Sequence, residues 1–153
     1  MHDLVIARAL HVLSVVLWIG GVAMVTLVLV PAVKSEPDAF KRFESIERRF
    51  ATQSRITVLL AGLTGFYMVW RLDLWARFAE LRFWWMHAMV AVWLIFMAML
   101  FVLEPFVLHD RLRSRASRDP RGTMLLIQRL HWVLLILSLI TVAGAVAGSH
   151  GAF

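Results

Sequence analysis

Hydrophobic and polar residues are sorted along this chain into long blocks. Residues 4–33 are almost unbroken apolar, with polar side chains only at Arg8, His11, Ser14 and Thr26. About 20 such residues cross a bilayer as a helix, so the block predicts a first membrane span over residues 4–30, stopped by Pro31. A polar break at 34–38 follows. In 39–55, Phe40, Phe43, Ile46 and Phe50 recur three or four apart among charges, which predicts an amphipathic helix at the interface or a lead-in to the next span. That second span covers 56–70, where Ala61, Gly62, Thr64 and Gly65 permit close helix contact. A polar and aromatic loop at 71–82 leads to a third span at 83–103, ended by Glu104 and Pro105. A basic stretch at 109–123 precedes a fourth span at 124–148. The pattern predicts an all-α protein, a transmembrane four-helix up-down bundle, as one integral membrane domain.

Composition agrees. Of 153 residues, 61% are hydrophobic and 17% charged, well off the balance of a soluble domain. The net charge of +6 does not imply a nucleic-acid partner, because the basic residues fall into two short segments. Lys34, Lys41, Arg42, Arg48, Arg49 and Arg55 follow the first span, and Arg111, Arg113, Arg115, Arg118, Arg121 and Arg129 flank the start of the fourth. Only Arg8, Arg71, Arg77 and Arg82 lie on the other side. This asymmetry predicts both basic segments in the cytoplasm and both termini outside a bacterial-type inner membrane, with the first span uncleaved. The absence of cysteine excludes disulfides, iron–sulfur clusters and covalent haem attachment.

Within this frame the histidines stand out. His11 lies ~10 Å into the hydrocarbon, where an ionisable side chain faces protein and has a partner. Arg8, Ser14, Trp18 and Gly21 share its helical face, which reads as one wall of a cofactor site, with Gly21 letting something bulky approach. His87, ~6 Å below the same surface, is nearly level with His11 on a diagonal helix. Two such imidazoles can clamp a haem iron from both sides, which makes His11 and His87 the candidate metal ligands. The competing reading satisfies each histidine with a backbone carbonyl or with a serine such as Ser14 or Ser138. Arg8 and Arg82 are placed to hold haem propionates, or else are interface arginines. Trp18 reads as a cofactor contact or as packing. His131 lies ~8 Å deeper than His11 and suits a core hydrogen bond, a proton or substrate path, or a second metal. His150 reads as a rim residue, and His2 and His109 as solvated.

The run Arg8-Ala9-Leu10-His11 with Trp18 and Gly20-Gly21, the stretch Phe43-Glu44-Ser45-Ile46-Glu47-Arg48-Arg49-Phe50 followed by Gly62 and Gly65, and Trp85-Met86-His87-Ala88 resemble the CopD/HemJ-like membrane proteins. The resemblance covers the first three spans and the four-span layout. It implies a small haem b-binding four-helix protein with His11 and His87 at the family's histidine positions. The chain departs from the pattern of the protoporphyrinogen oxidases in that group at Met89, at Pro31 and at His131-Trp132. The broader grouping, which includes copper-handling proteins, is matched equally. The expected function is therefore haem b-based electron transfer or a quinone- or porphyrin-linked oxidation. The alternatives are copper transport, which the scattered methionines do not favour, and an assembly subunit without a cofactor. A homo-oligomer is compatible with any of these.

Overall fold

The computed structural model describes residues 2–36 and 38–152, with the backbone alone for 105–109; Pro37, in the expected polar break, lies outside the described residues. Helices account for nearly all of it, and there is no strand among the described residues. α1 is His2–Val33, α2 is Ala39–Arg71 and α3 is Trp84–Ala98. α3 continues through a π-helical segment, Met99–Leu108, into α4, His109–Arg118. α5 is Pro120–Ser149. Two short 3₁₀ turns, Trp75–Ala79 and Leu81–Phe83, connect α2 to α3.

Three stretches are long and apolar enough to cross a membrane: His2–Val33, Leu81–Glu104 and Pro120–Ser149. The outward side chains of these helices are apolar as well, with Val5, Val16, Leu94 and Ile140 all more than half exposed. A belt of this kind is far larger than the apolar patches of water-soluble monomers, and it makes the protein a multi-pass membrane protein. α2 differs. Its apolar part, 56–70, is flanked by Arg55 and Arg71 and is shorter than the ~20 residues of a full crossing.

Three boundaries depart from the sequence pattern. Pro31 does not end the first helix, which runs on to Val33. A π turn at Val25–Leu29 immediately precedes it and shifts the backbone pairing where the proline ring would meet the preceding turn. Glu104 and Pro105 do not end the third helix either, because the chain passes them in π geometry. The basic stretch after it is helical as α4 and not a loop. α5 then starts where the Asp119 side chain accepts from Gly122 N at 2.8 Å with Pro120 in the first turn, a pairing that satisfies a free amide and presets the backbone.

α1 packs mainly along α2, and α3 along α5. At one end Asp3 accepts from Tyr67 at 2.9 Å and from Arg71 at 3.2 Å, so the start of α1 meets the finish of α2. At the other end Val30, Val33, Ala39, Phe43, Met124 and Ile127 close a core. A second core lies midway around Trp18, Val58, Ala61, Val92 and Phe96. Three indoles fill glycine notches: Trp93 on Gly62, Trp84 on Gly144 and Trp85 on Gly148. At these glycines close packing is the observed reason for the missing side chain.

Candidate functional site

Each of the three intramembrane histidines has a partner, and the partners lie on different elements. His11 Nδ1 lies 2.9 Å from the carbonyl oxygen of Ala61 and 3.2 Å from Thr64 Oγ1. A carbonyl only accepts, so in the neutral ring the proton sits on Nδ1 and Nε2 keeps its lone pair. Gly65 makes room for the ring, since a Cβ there would lie 3.2 Å from His11 Cε1. The partner is thus a carbonyl with a threonine beside it on α2, and neither Ser14 nor Ser138 is involved.

His87 is held by the connecting turn. Its Nε2 lies 2.9 Å from Phe78 O and its Nδ1 3.3 Å from Phe83 O, with the Phe78 ring edge-on at 5.5 Å. A neutral imidazole has one N–H, and the shorter contact places it on Nε2. His131 donates from Nδ1 to Ile127 O at 2.9 Å within its own helix, and Phe43 packs edge-on against it at 6.0 Å.

The remaining candidates are scattered. Arg8 is exposed. Arg82 pairs with Glu80 at 2.6 Å and lies over the Phe83 ring at 4.7 Å. Trp18 is 5% exposed and meets Phe96 edge-on at 4.8 Å. Its Nε1 is the buried side-chain polar atom left without a hydrogen-bond partner among the described residues. His2 and His150 are exposed, His150 at the rim with Nδ1 2.8 Å from Val146 O; the His109 side chain lies outside the described residues.

What the structure does bring together is Gly21 and His131. Both line a cavity of about 230 Å³ at the Ala39 end of α2. Its walls are Val22 and Val25 of α1, Phe43, Glu44, Glu47, Arg48 and Phe50 of α2, Phe96 of α3, Met99, Leu100 and Glu104 of the π segment, and Leu130 and Leu134 of α5. An added Cβ at Gly21 meets no atom within 4 Å, so the open space expected beside this glycine is present, but it faces His131 and not His11.

The carboxylates of this cavity are unequally matched. Glu44 pairs with Arg113 at 3.0 Å and with Arg48 at 3.6 Å. Glu104 pairs with Arg55 at 3.3 Å, and Arg55 also donates to Leu100 O at 3.2 Å, tying α2 to the π segment. Glu47 has no hydrogen bond or salt bridge among the described residues. Burial pushes its carboxyl up to about 7, Glu104 and Glu44 add to the effect, and Arg55 opposes it. The buried site therefore favours the protonated carboxyl.

By sequence pattern Glu47 belongs to an amphipathic lead-in and Glu104 ends a span. The available signal was Glu104 itself, a carboxylate closing an apolar run.

No family model, curated protein or solved structure matches the chain. The likeness to CopD/HemJ-like proteins therefore rests on the short motifs alone. No group of three or more His, Cys, Asp or Glu placed to hold a metal ion occurs among the described residues.

Proposed function

We propose that the chain is a four-span protein of a bacterial-type inner membrane that binds haem b between His11 and His87 and works in electron transfer or in a quinone- or porphyrin-linked oxidation. In this reading 56–70 is the fourth crossing, sheltered by α1, and both termini face outward. The observation that carries it is His11: a histidine inside a membrane helix whose Nδ1 proton is committed to the Ala61 carbonyl, leaving Nε2 to ligate. This is how a carbonyl orients a ligating imidazole. The unpartnered Nε1 of Trp18, two turns along the same face, adds support, because a bound group with acceptor atoms would satisfy it.

His87 fits less directly. Its Nε2 is turned to Phe78 O, and ligation through that atom requires the 3₁₀ turn Trp75–Ala79 to release it. When bound, haem would supply one-electron redox chemistry, and the chain's part is to hold it, exclude water and neutralise its propionates. Arg8 and Arg82 are assigned to the propionates, and Arg82 would exchange its Glu80 partner to serve there.

The test is a reduced-minus-oxidised spectrum of the detergent-purified protein and its variants. Haem bands in the wild type, lost or converted to high spin in His11→Ala and His87→Ala but retained in His131→Ala, support the assignment. Bands that survive both of the first two variants sink it. Bound copper without haem bands would favour transport instead.

A further inference from the structure

The geometry points to the cavity between Gly21 and His131 as a binding site for the headgroup of a lipid-soluble hydroquinone, with the Glu47 carboxyl and His131 Nε2 taking the ring's two hydroxyls. The inference relies on the membrane reading and not on haem ligation.

Size comes first. About 230 Å³ is below the ~300–1,000 Å³ of drug-sized ligand sites, so one substituted ring fits where a tetrapyrrole does not. The lining suits a flat apolar body, because its walls are mostly apolar and include the rings of Phe43, Phe50 and Phe96 and the thioether of Met99. Charge then disfavours an anion. Glu44, Glu47 and Glu104 line the cavity, and Arg48, the arginine among its described lining residues, is paired with Glu44. A neutral molecule carrying hydroxyl groups suits the Glu47 carboxyl, which burial holds toward its protonated form.

The hydrogen-bonding inventory suits it. His131 has its proton on Nδ1, engaged with Ile127 O, which leaves Nε2 as an acceptor. Glu47 offers a carboxyl with no other partner among the described residues. The cavity has a lipid side, since Leu130 lines it and is 43% exposed on the apolar belt; the exposed Arg48 lines it as well. A ligand entering past Leu130 needs an apolar tail.

The backbone gives an independent sign. π-Helical turns are rare and concentrate at functional sites. Here Val25–Leu29 and Met99–Leu108 are both π-helical, and Val25, Met99, Leu100 and Glu104 from these segments line the same cavity.

The experiment is calorimetric titration of the full chain in lipid nanodiscs with decylubiquinol kept reduced, and with decylbenzene as a probe with the same tail and no hydroxyls. Saturable binding of decylubiquinol and none of decylbenzene is expected. Glu47→Leu and His131→Phe, which remove the polar group, should each weaken binding roughly tenfold, the effect of one lost hydrogen bond to a buried polar group. Gly21→Leu should abolish binding without unfolding the protein, because its new side chain enters open space. Leu94→Ala, on the lipid face, should bind as wild type. Should His131→Phe fail to fold by thermal melting, Glu47→Leu and Gly21→Leu decide. No saturable binding by wild type, equal binding of decylbenzene, or wild-type affinity in Glu47→Leu and Gly21→Leu overturns the inference. Haem bands, read on the same sample, report separately on the function proposed above.

Discussion

The indole of Trp93 donates from Nε1 to the carbonyl oxygen of Val58 at 2.9 Å while its ring occupies the notch at Gly62, where an added Cβ would come within 2.5 Å of Nε1. α3 is thereby locked to α2 next to Ala61, whose carbonyl orients His11. Gly62→Ala should force the indole aside and destabilise the protein by about 1–3 kcal/mol. Gly20→Ala, which meets no atom within 4 Å, should be neutral or slightly stabilising through helix propensity. Thermal melting in detergent compares the two, and equal melting temperatures would contradict the notch.

A second prediction concerns the orientation of His11. Gly65→Ala brings a Cβ to 3.2 Å from Cε1, which is tight, and Gly65→Leu would displace the ring. If His11 holds haem, retention should fall in the order glycine, alanine, leucine, with Gly20→Ala as wild type. The absorbance ratio of the Soret band to the protein band reads this. Undiminished retention in Gly65→Leu would separate His11 from the cofactor.

The raised carboxyl of Glu47 has a signature in stability. Its proton affinity in the folded chain, about 7, exceeds the ordinary 4.5, so the native state holds a proton that the unfolded state releases. Its contribution is complete below pH ~4.5 and is lost as the pH rises through ~7, at full size of order 3 kcal/mol. The ionisable groups that share the cavity or act on it are Glu44 and Arg48 on the same helix, Arg55, Glu104 on the π segment and His131 on α5, and all are retained in a Glu47 variant. Glu47→Gln should therefore melt at nearly the same temperature at pH 5 and pH 8, while the wild type loses stability between them. Parallel losses in both proteins would assign the slope to another group.

Arg55 provides the matching experiment. It opposes the upward shift of Glu47 and pairs with Glu104. Arg55→Gln should move the Glu47 transition to higher pH. The lost pair should itself cost no more than ~1 kcal/mol, since both side chains are partly exposed. A transition that moves to lower pH would show that Arg55 does not face Glu47.

Membrane orientation is tested by a reporter appended to the C-terminal end. The distribution of basic residues predicts that a reporter active only outside the cytoplasm works there and a cytoplasmic one does not. The reverse result would also invert which end of the bundle carries the Glu47 cavity.

The sequence by itself determined the apolar helices, though not their ends or the charged α4, because membrane insertion follows from apolar runs of sufficient length, and those are local. It also marked His11 as an intramembrane histidine in need of a partner and Gly21 as a position with room beside it. Only the tertiary structure decided what those features meet. Ala61 and Gly65 accommodate His11 because α1 lies along α2, and residues fifty apart in the chain share no periodicity that would reveal this. Glu47, Glu104 and His131 line one cavity because the π segment that carries Glu104 lies against α2, to which Arg55 ties it through Glu104 and the Leu100 carbonyl. A proline in an apolar run reads locally as an end, and only the surrounding helices supply the contacts that carry the backbone through it.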